Sequence, residues 1–257
     1  MSKLYRGIDI SLYQGEPDFS SLKRNGIDFV MLKASQGRTA EYDAPFEDPH
    51  FRGNIGRIVK TAAQDDGGVY AGCYHYFCAR NESEADAEAD FFVSLIKPYR
   101  YNLQLWAALD VEDAMLPADK DALSACVRRF CDRVEREGMR PMVYSSTWWL
   151  NNRFTVPESV PVWEANWSVK SIPDRARMWQ LGLTDVPGLG KVDTNLARDI
   201  IGDANGDGKV DAKDAAAMLK DIAGWKVGID EGQADLDRDG YVTAKDVAEL
   251  IRKLAGE

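Results

Sequence analysis

Along the first 202 residues, short apolar runs alternate with stretches whose apolar positions recur at helical spacing. Runs at 5–11, 28–35, 69–77, 105–112, 141–146, 160–166, 177–180 and 191–195 have the length and bounding turns of buried strands. Helices with recognisable ends lie between several of them. Asn81 followed by Glu84 makes a capping pattern, Ala85, Ala89, Phe92, Val93 and Ile96 form an apolar stripe, and Pro98 stops it. Leu123, Val127, Phe130 and Val134 form a second stripe, which ends at Gly138 as a C-cap. Strands and helices in alternation predict a parallel sheet with helices outside, and eight strands predict that it closes. The last three strands leave little room for helices between them. The expected fold is therefore α/β, an irregular (β/α) barrel.

The pattern changes near residue 200. Residues 203–224 and 235–256 are two copies of one unit, identical at 10 of 22 positions at an offset of 32. Each copy is an acidic loop followed by a helix. Ala216, Leu219, Ile222 and Ala223 in one, and Val247, Leu250, Ile251 and Leu254 in the other, are the apolar stripes through which the helices are expected to pack. The chain thus divides into a barrel domain at 1–200 and a small all-α second domain at 201–257. No Pro-rich or Ser-rich linker separates them, which puts the tail close to the barrel.

Composition narrows the function. A chain of 257 residues that is 45% hydrophobic fills a real core, so disorder is excluded. The formal charge of -10, from 32 Lys+Arg and 42 Asp+Glu, argues against nucleic acid or an anionic membrane as the main partner. No run approaches the ~18 apolar residues of a membrane span. The start MSKLYRG has no secretory signal pattern, so either a signal was removed or the protein leaves the cell another way. Cys73 with Cys78 and Cys126 with Cys131 are each five residues apart, a step that closes easily on neither a strand nor a helix. No zinc spacing appears. Packed thiols are the expected state, with cross-pairing between the two sets as the alternative.

The acidic loops have the alternating oxygen side chains, turn glycine and final acid that a calcium loop needs. In the first, the ligands are expected to be Asp203, Asn205, Asp207, the Lys209 carbonyl, Asp211 and Asp214, with Gly208 at the turn. In the second they are Asp235, Asp237, Asp239, the Tyr241 carbonyl, Thr243 and Asp246, with Gly240 at the turn. Two Ca²⁺ are expected. The twelfth position is Asp rather than the Glu of an EF-hand, and no clear helix leads into the first loop. Paired loops of this kind, each followed by one helix, resemble a type I dockerin. That resemblance implies calcium-dependent binding of a cohesin module on a scaffoldin. In the family, loop positions ten and eleven help choose the cohesin; here they are Ala212, Lys213 and Ala244, Lys245, a near-symmetry that implies two binding orientations. An unusual cohesin class, or a calcium-dependent module with no cohesin, stays open.

Four barrel acids fall toward the carboxyl ends of strands, where barrel chemistry sits. Asp9 is near the end of the first strand, Asp110 and Glu112 end the fourth, and Asp193 lies in the last. Residues two apart on a strand share a side, so Asp110 and Glu112 are expected to face one pocket. Crowded like charges would raise one pKa and keep Glu112 protonated as a general acid. Taken alone, this acidic pair equally fits a solvated strand end. Tyr74, His75, Tyr76, Tyr144, Trp163 and Trp179 are candidate sugar-binding residues, although each ring by itself reads as core and His75 as a hydrogen-bonded structural residue.

Read in order, GIDISLYQG at 7–15, DFVMLKASQG at 28–37, GCYHYF at 72–77, LDVE at 109–112, VYS at 143–145 and VDTN at 192–195 resemble glycoside hydrolase family 25, the Chalaropsis-type lysozymes. The resemblance spans about residues 4–200. It implies an extracellular or cell-wall enzyme that cleaves the β-1,4 bond between N-acetylmuramic acid and N-acetylglucosamine in peptidoglycan, with no cofactor for catalysis. It makes Glu112 the acid/base and Asp9, Asp110 and Asp193 the rest of the acidic site. Trp167 stands where a Tyr is expected. Two routes to retention are open, a carboxylate nucleophile or the substrate's own acetamido oxygen. The second is favoured, because Asp110 and Glu112 share a strand and are poorly placed to flank a sugar from opposite faces. The rival is an inactive cell-wall-binding or scaffold component, which the presence of all four acids disfavours.

Overall fold

The computed structural model describes residues 4–62, 68–207, 209–237 and 239–256. Gly208, the expected turn glycine of the first acidic loop, lies outside the described residues.

The strands are β1 (Leu4–Ile10), β2 (Phe29–Gln36), β3 (Phe46–Glu47), β4 (Tyr70–Tyr76), β5 (Ala107–Asp110), β6 (Pro141–Ser146), β7 (Val162–Ala165), β8 (Ala176–Val186) and β9 (Gly190–Arg198). Their order is β1-β9-β8-β7-β6-β5-β4-β2-β3, and β1 also pairs with β2, closing a ring from which only β3 is left out among the described strands. Neighbours in the ring run parallel except at β9, which is antiparallel to both β8 and β1. The irregularity expected from the crowded last strands is this β8–β9 hairpin, which replaces a helical crossover. Both its strands run beyond the predicted apolar runs: Leu183 on one side is exposed, while Val186 and Val192 beside the turn are buried in the outer apolar layer.

Helices α1 (Phe19–Arg24), α2 (Phe51–Ala62), α3 (Glu82–Ile96), α4 (Lys120–Arg136) and α5 (Thr147–Asn152) surround the barrel. The two stripes read from the sequence are the buried faces of α3 and α4. Asn81 caps α3 by accepting the Glu84 amide at 3.0 Å. The ring separates two apolar layers. Val30, Leu32, Ile8 and Ile10 point outward onto the helices, while Phe29, Met31, Tyr5 and Trp106 fill the lumen. Two lumen glycines permit this packing: a Cβ on Gly7 would stand 2.3 Å from the Phe29 ring, and one on Gly72 would stand 2.6 Å from Met31 Sδ. All four cysteines are buried free thiols.

Beyond the barrel lie α6 (Ala212–Ile222), α7 (Glu231–Ala234) and α8 (Ala244–Ala255). They share a small core of Ala204, Ala215, Met218, Ala234, Val247 and Leu250. Here the expected stripes need correction. Ala216, Leu219 and Ile222 on α6, Ala223 at its C-cap, and Ile251 and Leu254 on α8 are exposed; only Val247 and Leu250 of the predicted set are buried. The buried side of α6 is Ala215 and Met218, residues small or flexible enough for close helix packing, and the larger aliphatics face outward.

Candidate active site and acidic loops

Strand register assembles the barrel acids. Asp9 on β1 stands directly opposite Asp193 on β9, and Asp110 at the end of β5 lies between Tyr76 on β4 and Tyr144 on β6. Glu112 lies two residues past the end of β5 and is open to solvent at the mouth. A chain of lumen hydrogen bonds fixes Asp9. Its Oδ2 accepts from Asn195 Nδ2 at 2.8 Å and from Gln180 Nε2 at 3.1 Å. Tyr144 donates to Gln180 Oε1 at 3.1 Å, and Trp163 Nε1 donates to Asn195 Oδ1 at 2.8 Å. Asp110 Oδ1 and Asp193 Oδ1, by contrast, are buried with no protein hydrogen-bond partner among the described residues. A native fold leaves such groups bare where something else is to meet them.

Burial, ahead of mutual repulsion, sets the proton affinities. It pushes the Asp9 carboxyl up to about 7, helped by Asp193 and opposed by the Asn195 hydrogen bond. Asp110 is held well above the ordinary carboxylate range, first by desolvation and then by the Glu112 charge. Glu112 is raised by desolvation and by Asp193, and Asp193 by desolvation. The expected elevation of Glu112 is found, with burial rather than crowding as its main cause. A group not singled out from the sequence joins the cluster. Lys33 on β2 faces Tyr74 across the β2–β4 pairing, hydrogen-bonds Gln36 Oε1 at 2.7 Å and sits 5.0 Å from the Tyr76 ring centroid. Its charge pulls the Asp110 and Glu112 pKa values down, while burial lowers its own. A lysine on an inward-facing strand position was the available signal.

The aromatic candidates divide by strand parity. Tyr74, Tyr76 and Tyr144 line the lumen near the acids, and Tyr76 donates to Asp113 at 3.3 Å. Three candidates require correction. His75 alternates with Tyr74 and Tyr76, so it points out of the barrel. It is wholly buried, with Nδ1 2.8 Å from Ser35 Oγ and Nε2 2.8 Å from Glu88 Oε2. Trp179 alternates with Gln180 and packs with Ile172 and Ala176, its indole donating to the Asn166 carbonyl at 2.7 Å. Trp163 does face the lumen but is 2% exposed, wedged against Tyr144 and Tyr74, and offers no free sugar face. The exposed rings are elsewhere. Tyr13, Tyr42, Trp148 and Trp167 stand in segments that follow the carboxyl ends of β1, β2, β6 and β7, with exposures of 84%, 54%, 60% and 59%. Their positions just past strand ends would have found them.

The acidic loops are organised around their last acid. Asp214 accepts the amides of Asn205 at 3.1 Å and Asp211 at 2.7 Å; Asp246 accepts those of Leu236 at 2.8 Å, Asp237 at 3.1 Å and Thr243 at 2.8 Å. Both carboxylates are fully buried. Asp207 accepts the Lys209 amide and Asp239 that of Tyr241, the two residues expected to offer carbonyls. Asp235, Asp237 and Asp239 bring carboxylate oxygens within 4.8 Å of one another, a spacing and a hard-oxygen donor set that fit a calcium ion. The first loop places Asp203, Asn205, Asp207 and Asp211 at the equivalent positions. Among the described residues no helix is long and apolar enough to cross a membrane.

Comparison with known proteins agrees with this geometry. The dockerin type I domain matches residues 201–255. The autolytic lysozyme of Clostridium acetobutylicum is 31% identical over 64% of this chain and 45% of its own length. Lysozyme M1 of Streptomyces globisporus is 30% identical over 68% of this chain and 59% of its own. The chain thus spans about half the length of these curated relatives. Among solved structures, the spore cortex lytic enzyme SleM of Clostridium perfringens superposes with a TM-score of 0.61 at 25% identity, over 76% of this chain and 67% of that one. Since the family description for glycosyl hydrolases family 25 matches residues 8–185, more than half of the chain, which carry most of the barrel strands and three of its four mouth acids, the chain belongs to that family.

Proposed function

We propose that the barrel is an N-acetylmuramidase that cleaves the β-1,4 bond between N-acetylmuramic acid and N-acetylglucosamine in peptidoglycan. The observation that carries the reading is the mouth of the barrel, where two desolvated carboxylate oxygens, on Asp110 and Asp193, have no protein partner among the described residues and stand beside a solvent-open Glu112. Glu112, with its raised pKa, is the general acid that protonates the glycosidic oxygen. The substrate's acetamido oxygen then attacks C1 from the other face of the sugar, and Asp110 accepts the acetamido N–H to orient that group. Glu112, now a carboxylate, takes a proton from the water that opens the cyclic intermediate, and configuration is retained. Asp9, held by Asn195 and Gln180, and Asp193 provide the field around the developing positive charge. Tyr74, Tyr76 and Tyr144 would border the sugar in the lumen, and the exposed Tyr13, Trp148 and Trp167 would meet neighbouring sugars. Catalysis in this scheme needs no cofactor.

The same proposal divides the chain at residue 200 and makes 201–257 a calcium-dependent cohesin-binding module. The loop residues identified above would hold two Ca²⁺, which supply folding energy to the module. The exposed aliphatics of α6 and α8, next to Ala212, Lys213, Ala244 and Lys245, support a pair of similar binding faces. Action outside the cell or in the wall follows from the substrate. Clearing of a cell-wall suspension tests the enzyme: Glu112→Gln should lose about 10²–10⁴-fold in rate. Equal clearing by both proteins, or none by either, would return the barrel to the role of an inactive wall-binding component. Trapping of a covalent glycosyl-enzyme would replace the acetamido route with a carboxylate nucleophile. Calorimetric titration with a type I cohesin should give binding in calcium and none in chelator.

A further inference from the structure

The floor of the barrel, at the pole opposite the acids, is joined to the first acidic loop by a buried polar brace. Gln233 on α7 is fully buried, and its side-chain Nε2 donates to the Gln104 carbonyl at 2.5 Å and the Ile200 carbonyl at 3.2 Å. Its own carbonyl accepts the Gly202 amide at 3.1 Å, and its Oε1 accepts the Asp203 amide at 3.3 Å. One side chain therefore holds the floor and the first loop residue together. Arg140, at the foot of β6, donates Nη2 to the same Gln104 carbonyl at 2.6 Å, lies over Trp106, and pairs with Asp230, the N-cap of α7, at 3.2 Å. On the other side Lys253 of α8 donates to the Ile201 carbonyl and lies 5.4 Å from the Tyr5 ring centroid. Gly202 has no room for a side chain, since a Cβ there would stand 2.9 Å from Leu250 and 3.0 Å from Val210. A cleft of about 790 Å³ opens between the two parts, and Arg140 and Arg177 line it together with Asp203 and Asp207 of the loop.

We propose that this junction makes the first calcium loop a structural brace of the barrel, so that calcium binding raises the unfolding temperature of the barrel itself and not of the C-terminal helices alone. The inference rests on the calcium reading above and goes beyond it. An ion that binds only the folded loop stabilises everything that must unfold with that loop. Here that includes the contacts covering Gln104, Trp106 and Arg140. If the C-terminal helices unfolded alone, Arg140 would lose its Asp230 partner, and the Gln104 carbonyl would lose the Gln233 donor. The attachment lies at the amino ends of the parallel strands, so a scaffold held by the tail would leave the acid-lined mouth clear.

Scanning calorimetry of the full chain, with near-ultraviolet circular dichroism reporting the barrel, tests the proposal in calcium and in chelator, for wild type and for Gln233→Leu. The barrel transition of the wild type should rise by about 3 to 6 °C in calcium. Gln233→Leu should lower that transition even in chelator and lose more than half of the calcium-dependent rise. A barrel transition that stays fixed while titration shows calcium bound would overturn the proposal. Should titration show no calcium bound, the calcium reading fails by itself, and the brace is then judged in chelator, where an unchanged barrel transition in Gln233→Leu would overturn it too.

Discussion

At the scale of single residues, the mouth is a set of carboxylates whose protons are governed by burial and by one lysine. Lys33 is half-buried beside them and lowers the proton affinity of Asp110 and Glu112. Replacing it with methionine keeps the bulk and removes the charge. The pH–rate profile of Lys33→Met should therefore move its alkaline limb upward by about half a unit or more, because Glu112, the proposed general acid, holds its proton longer. An unmoved profile would show that Lys33 does not sense the reacting acids. Asp9 makes a stability prediction of definite sign. Its folded pKa is about 7 against an ordinary value of 3.8, so between those pH values the native state binds more protons than the unfolded state. Stability from this group is present below about pH 4 and is lost as the pH rises through 7, on the order of 2–4 kcal/mol. Denaturant unfolding of Asp9→Asn at pH 5 and pH 8 should show a flatter dependence than wild type; an identical slope would contradict the assignment.

At the scale of elements, the join between β4 and α3 depends on a buried carboxylate. Glu88 Oε2 accepts from His75 Nε2 and, at 3.0 Å, from the Cys78 amide, which fixes the segment leaving β4 at the mouth. Burial lowers the His75 pKa, so the imidazole is neutral and supplies its N–H to Glu88 while Ser35 donates to Nδ1. Glu88→Leu should cost roughly 1–3 kcal/mol for each stranded donor, and Glu88→Gln, which keeps an acceptor, should cost less. Urea midpoints for the pair check this ordering. The same region shows what a sequence can and cannot disclose. The order of strands, the buried faces of α3 and α4 and the placing of acids at strand ends follow from periodicity and chain order, which are local. Which way His75 points depends on strand phase, and applying the two-residue alternation to Tyr74 and Tyr76 would have turned it outward. The exposed side of α6 was illegible for another reason: apolar spacing finds a stripe but does not tell a buried face from one left for a partner. Lys33 escaped notice because its importance comes from neighbours on β4 and β5, far away in sequence.

At the scale of the whole molecule, charge and chemistry are distributed to two poles. Residues 203–257 hold 13 acidic and 8 basic side chains, so half of the net -10 lies in the tail, and two bound Ca²⁺ would bring its -5 to about -1. The remaining acids that matter most are desolvated at the mouth, where burial pushes Asp9 up to about 7 and holds Asp110 well above the ordinary carboxylate range. The apparent acidity of the protein is thus mainly two local devices, and little of it acts as a repulsive field toward an anionic wall. Separation of the poles has a kinetic consequence. Contacts to the tail involve the amino ends of the strands, whereas Asp9, Asp110 and Glu112 sit at the carboxyl ends, and the lumen bonds that fix Asp9 come from Asn195 and Gln180 of the barrel. Chelation should therefore leave the hydrolysis rate at 25 °C essentially unchanged while abolishing cohesin binding. At temperatures approaching the barrel transition, the chelated enzyme should lose activity several-fold faster than the calcium form, since the brace then lies within the unfolding unit. Initial rates and inactivation half-lives measured on one preparation, with and without chelator, separate the two effects. A fall in the initial rate at 25 °C would mean that the floor communicates with the mouth, and the separation of poles would have to be abandoned.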